Sequence, residues 1–168
     1  MSLQTSYEIP DPTPEEVTRF VQDVKEDILW IVKYGPGFNP HVGVRRNGVW
    51  HPDNSEEKKP SCGTCAIGAV CVRRQPLGDK GADGINAVAD LFQISRPWVY
   101  DIYWLVTHTI TELRADIANR RTSERDKTTA RVALELRSYG LAMMRVKEQL
   151  RHEAAQEDQL YAESRGWA

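Results

Sequence analysis

Three thiols stand close together, Cys62, Cys65 and Cys71, and they are the first groups in this chain with chemistry to offer. Cys62-Gly-Thr-Cys65 has the spacing at which a tight turn presents two thiolates to one tetrahedral zinc ion. Two more ligands are required. Cys71 lies six residues past Cys65, which on a helix sets it on another face. His41 and His51 flank an Asn47-Gly48 turn signal, and that turn's register sends them to opposite faces of a hairpin. His51, Cys62 and Cys65 are therefore the candidate metal set, with no evident fourth ligand. The competing reading is small thiols buried in a tightly packed helix, with no cofactor.

Catalytic readings are thinner. Cys62 to Cys65 resembles the cysteine turn of papain-like proteases, where a helix start lowers the thiol pKa. Here Ala66 stands where an aromatic residue is usual, and His108 and His152 sit on helices without an Asn or Asp in an orienting role. His152, near Glu148 and Glu153, reads as a solvated surface. Gly78, Gly81 and Gly84 lack the strand context and Lys-Ser/Thr ending of a phosphate loop. The expectation is a protein that is not an enzyme, with no catalytic residues.

A second pattern runs from Ile85 to Ile102. Ala89 is the small residue at which two helices touch, Ile94, Val99 and Ile102 supply a shared core, and Ser95 caps the next helix. This is the layout of a helix-turn-helix, and it would set Ser95, Arg96 and Tyr100 at a DNA groove. Gln93 occupies the turn position where glycine is usual, and Asp101 and Trp104 share the face with a single cation, Arg96. The alternative is an ordinary helix corner with a buried aromatic cluster.

These groups must be positioned by helices. The stretch 98–117 carries Val99, Ile102, Val106, Ile110, Leu113 and Ile117 at helical spacing, with Trp98, Tyr100, Tyr103 and Trp104 crowding its first turns. Ser95 and Pro97 start this central helix, and it is expected to run unbroken to about Asn119-Arg120-Arg121. Thr122 or Ser123 opens the last helix. Its seam of Val132, Leu136, Tyr139, Met143, Val146 and Leu150 is spaced four, three, four, three, four. The short connection predicts an antiparallel helical hairpin over 95–163.

Earlier in the chain, Thr13-Pro14-Glu15-Glu16 is a capping box opening a helix with Val17, Phe20, Val21, Val24, Ile28 and Ile31 on one face. Gly35-Pro36 ends it, Gly35 being expected to adopt the left-handed cap. Residues 41–51 read as a β-hairpin, 52–60 as a solvated loop, 64–75 as a short helix and 83–92 as another, capped by Asp83. The fold class is mainly α: a flexible arm over 1–12, then one helical domain over 13–168 with a small β-hairpin and a long C-terminal antiparallel helical hairpin.

The 168 residues suit one domain, and the net charge of −2 argues against broad wrapping of nucleic acid. The start has neither the basic nor the apolar segment of a secretion signal, and the window 98–110 is too short to span a bilayer and contains Asp101 and His108. A cytoplasmic protein without a membrane partner is expected.

Cys65-Ala-Ile-Gly-Ala69 follows a Trp- and Gly-containing loop and precedes an Ala/Leu-rich helix and an aromatic-Asp stretch. This order resembles a small, functionally uncharacterised protein family of actinobacteria and their phages. That family carries a Cys-aliphatic-Gly-Ala helix start and a later Trp-Asn-Asp, whose place Tyr100-Asp101 takes here. The resemblance covers about residues 17–104. It implies a phage or actinobacterial accessory protein and supplies no catalytic residues.

Together these readings favour a non-enzymatic regulatory or interaction protein that binds a protein partner or itself. Trp98, Tyr103, Trp104, Tyr139, Met143 and Leu150 are its candidate interaction residues. A helix-turn-helix DNA-binding regulator is the alternative.

Overall fold

The computed structural model describes residues 9–41, 63–74 and 82–167. It is mainly helical: α1 (Pro14–Tyr34), α2 (Ala66–Arg73), α3 (Ala82–Phe92), α4 (Arg96–Leu105), α5 (Ile110–Ala118) and α6 (Glu124–Ser164). The expected β-hairpin and the solvated loop that follows it fall outside the described residues, His41 excepted. Among the described residues the only β pairing is an isolated parallel bridge between Phe38 and Thr64.

Local signals set most boundaries. Thr13 and Glu16 form the reciprocal capping box at the start of α1, and Ser123 caps α6 by accepting from the Asp126 amide. Each satisfies an amide that a helix start would otherwise leave unpaired. The end of α1 corrects the sequence reading. Gly35 is extended, with φ −112° and ψ −157°, and the positive φ of +95° belongs to Gly37. Both amides donate to the Ile31 carbonyl, so the chain turns over two residues rather than one.

The central helix is likewise not continuous. It stops at Leu105 and restarts at Ile110. The Thr107 hydroxyl donates to the Trp104 carbonyl at 2.7 Å, and Thr109 with Glu112 forms a second capping box. Threonine hydroxyls offer the backbone partners that compete with an unbroken helical ladder. The apolar stripe survives the break, because Val99, Ile102, Val106 and Leu113 are all buried. The helical hairpin is accordingly α5 against α6, joined through 119–123, with α4 also packed on α6.

The core lies where α1, α2, α4 and α5 meet the first half of α6. Phe20, Val24, Ile28 and Ile31 from α1 join Ile67 and Val70 from α2, Trp98 and Ile102 from α4, and Leu136 from α6. α1 runs alongside α6 in the same direction: Lys25 pairs with Glu135 at 2.6 Å, and further along the Lys147 ammonium donates to the Val32 carbonyl.

α6 has 41 residues and is about 60 Å long. Its last fully buried residue is Gly140. There the Phe38 ring lies against bare helix backbone, and a β-carbon at Gly140 would sit 2.3 Å from a ring atom. Exchanging glycine for alanine inside a helix ordinarily gains about 1 kcal/mol. Here Gly140→Ala should instead cost about 1–3 kcal/mol, because the ring must move out of a filled core. Urea unfolding of the two proteins reads the sign directly, and an alanine variant as stable as the parent would contradict this packing.

Candidate functional site

The described thiols are buried in α2. Cys65 is the α2 N-cap, its Sγ accepting from the Gly68 amide at 3.4 Å. Cys71 faces α3 and donates to the Gly84 carbonyl at 3.9 Å. Burial, with the neighbouring Cys65 and Asp27, pushes the Cys71 thiol up to about 12. A thiol so placed is an inert packing group, the opposite of an activated nucleophile. His51 and Cys62, the other members of the candidate zinc set, lie outside the described residues. Among the described residues no group of three or more His, Cys, Asp or Glu side chains is arranged to hold a metal.

Beside Cys71 lies a charge the sequence reading missed. Asp27 is wholly buried on α1 and receives Arg73 and Arg74 from the end of α2, each at 2.9 Å. Burial pushes its carboxyl above the ordinary range, and the two guanidiniums pull it only partly back. Arg74 also lies over the Phe92 ring at 5.4 Å, which ties the same junction to α3. The signal was a lone carboxylate within the apolar run Val24, Ile28, Ile31, and a dibasic pair closing α2. This cluster clamps α2 onto α1, a structural task.

α3 and α4 are joined by a tight corner. Gln93 takes φ +53°, the left-handed geometry for which glycine is the usual residue, and the Ile94 amide returns to the Ala89 carbonyl. Ser95 caps α4 through the Trp98 amide at 3.3 Å, and is itself buried. Arg96 makes a two-bond contact with Asp90, at 3.2 and 3.0 Å. Tyr100 and Trp104 are half exposed and meet Tyr103 edge-on or tilted, with ring centroids 6.0–6.4 Å apart. Asp101, on the same helix, holds Arg125 at 2.7 Å. The outer face of α4 is thus aromatic and acidic.

Trp98 does not belong to that face. It is 1% exposed and packs edge-on against Phe20, with centroids 5.2 Å apart. As an interaction residue it is corrected to a core residue, because six positions along a helix separate it from the outward Trp104. Tyr139 and Met143 are partly buried against the core.

Leu150, in contrast, is 59% exposed, and Val146 one turn earlier is 51% exposed. With Met143 and Ala154 of α6, and Leu29 and Tyr34 of α1, they line an open apolar groove of about 800 Å³. Its basic residues are Lys33, Lys147 and Arg151. Beyond it, Leu160, Tyr161 and Trp167 are exposed at the far end of α6, with Trp167 edge-on to Tyr161 at 5.8 Å and Arg165 over the same ring.

A second cleft, of about 630 Å³, lies between α4 and the start of α6, beside Trp104 and His108. His108 lies in the break between α4 and α5, its Nδ1 3.8 Å from Glu112, and the Ser123 hydroxyl accepts from the Asp126 amide at the start of α6.

Two outcomes check these placements. Trp98→Ala should cost about 3–5 kcal/mol, while Trp104→Ala stays within about 0.5 kcal/mol; chemical denaturation of both variants decides it, and equal costs would contradict the assignment. For Cys71 the folded thiol's pKa lies above its ordinary 9.0. The stability linked to keeping it protonated is therefore complete below pH 9.0 and is lost as pH rises toward about 12. The stability gap between wild type and Cys71→Ala should shift against wild type across that window, by up to about 1.4 kcal/mol per pH unit. A gap that stays constant over it would place Cys71 in contact with solvent.

A scan against protein-family models, a search of the curated proteins and a search of the solved structures each found no match to this chain.

Proposed function

We propose that this protein works by binding protein rather than by catalysis, with the extended part of α6 and its groove against α1 as the binding element. One observation carries the reading. α6 continues for 24 residues past Gly140, and from Glu148 to Tyr161 every residue is exposed. Most helical stability in proteins comes from packing an apolar face rather than from propensity. Val146, Leu150, Leu160 and Tyr161 are the uncovered apolar residues, and a helix face laid in a groove is a common recognition mode. An accessory role of the phage or actinobacterial kind, as the Cys65–Ala69 resemblance implies, accords with a small binding protein.

A helix-turn-helix regulator is the second reading, and the geometry of the α3–α4 corner favours it. Phosphate binding asks for several outward cations, whereas the outer face of α4 carries Tyr100, Tyr103 and Trp104 and an Arg96 held by Asp90. The protein-binding reading is preferred for that reason.

A photo-crosslinking residue placed at position 150, in cells that express the chain, tests the preferred reading. It should give discrete protein adducts, of this chain or another, that the same probe at exposed Arg131, on the body-packed half of α6, does not give. No adduct specific to position 150 would sink it.

A further inference from the structure

The charges on the projecting half of α6 are segregated. Residues 145–151 hold Arg145, Lys147 and Arg151 against one anion, Glu148. Residues 153–163 hold Glu153, Glu157, Asp158 and Glu163 and no Lys or Arg. A parallel pair of such helices would set like charges together, while an antiparallel pair sets the basic half of each along the acidic half of the other. The apolar residues follow the same division. Leu150 and the groove lie at the basic end, and Leu160 with Tyr161 lies at the acidic end. Between them stand Ala154 and Ala155, small enough for two helix backbones to cross closely.

We propose that a second copy of this chain is the occupant: the projecting halves of two α6 helices pair antiparallel about a two-fold axis at Ala154–Ala155. This rests on the protein-binding reading above and names its partner. In that pairing Leu150 of one copy meets Leu160 and Tyr161 of the other, and Arg151 meets Asp158. The two-fold repeats each contact, so a single self-complementary surface closes the assembly. The apolar end of each α6 also reaches the other copy's groove, where Tyr34, 73% exposed, and Leu29 wait at the end of α1. Lys33 and Lys147 there face the carboxylates that arrive with it. Trp167 and Arg165 already pack on the Tyr161 ring at that end.

Light scattering of the purified full chain over a wide concentration range tests this. The expected result is a mass that rises with concentration to twice 19.1 kDa and no further. Leu150→Glu should abolish the rise while keeping the circular dichroism and melting temperature of the dilute, monomeric parent. Arg151→Glu and Asp158→Lys should each weaken the dimer by about tenfold or more at low salt. An equimolar mixture of those two variants should recover it, because the mixed dimer holds one native Arg151–Asp158 pair and one pair at the same two positions with both signs exchanged. A monomer at every concentration overturns the proposal; if position 150 still crosslinks another protein in cells, the protein-binding reading survives, and if it crosslinks nothing, both fail. A dimer indifferent to Leu150→Glu and to the charge variants places the interface elsewhere and also overturns it.

Discussion

The Phe38 ring on the bare backbone of Gly140 marks where the folded body ends. Up to that point α6 is a core helix, contributing Val132, Ala133 and Leu136 to the same interior as α1, α2 and α4. The ring reaches the helix because no side chain stands in the way, and the same turn holds the Phe38 amide against the Met144 sulfur at 3.3 Å. Past Met144 nothing else among the described residues covers α6 except the last turn of α1, through Lys147 and the groove. A helix that serves as a spine and then runs on alone gains stability when its exposed apolar residues are covered. That gain is the physical basis of the functional reading.

Buried polar groups in the body are used for holding, and this narrows what the body can do. Asp27 is neutralised in geometry by Arg73 and Arg74, which fixes the short α2 to α1. Arg137 is 8% exposed and donates to the Val106 carbonyl at 2.7 Å, so a cation of α6 meets the negative end of α4. Burial lowers its pKa, and its Nε has no partner among the described residues. Breaking either arrangement would leave an uncompensated charge in the core. Arg125 performs the comparable task nearer the surface, joining Asp11 and Asp101 at 2.7 Å each and thereby drawing the segment before α1 and the helix α4 onto the start of α6. Asp27, Arg137 and Arg125 are thus each committed to holding elements of the body together.

Much of this architecture was legible in the residues, for local reasons. The caps at Thr13 and Ser123 and the apolar face of α1 depend on neighbours within a turn or two, and spacing alone reveals them. The break between α4 and α5 was hidden because Val106, Ile110 and Leu113 keep helical spacing straight across it, and a threonine hydroxyl signals a cap only where the chain has already turned. Trp98 and Trp104 look alike in a list of aromatics, yet they stand about 120° apart around one helix, one inward and one outward. The seam 132–150 was read correctly as apolar, but its regular spacing carries no mark of where the body stops. That limit is set by Phe38, distant in sequence, and by the length of α1. Of the expected interaction residues, Leu150 and Trp104 lie outward, Tyr103, Tyr139 and Met143 lie partly inward, and Trp98 is core.

The measurement that tests the central claim most directly is hydrogen exchange followed residue by residue along α6, in dilute and in concentrated protein. The claim is that one helix has two regimes, divided just past Gly140. Amides of 127–140 should be strongly protected at both concentrations, while those of 145–164 exchange rapidly when dilute and gain protection as the chains pair. Uniform protection along the whole helix at high dilution would show that the distal half is stable by itself. Rapid exchange there at every concentration would show that no second copy covers it. Either result would contradict the account.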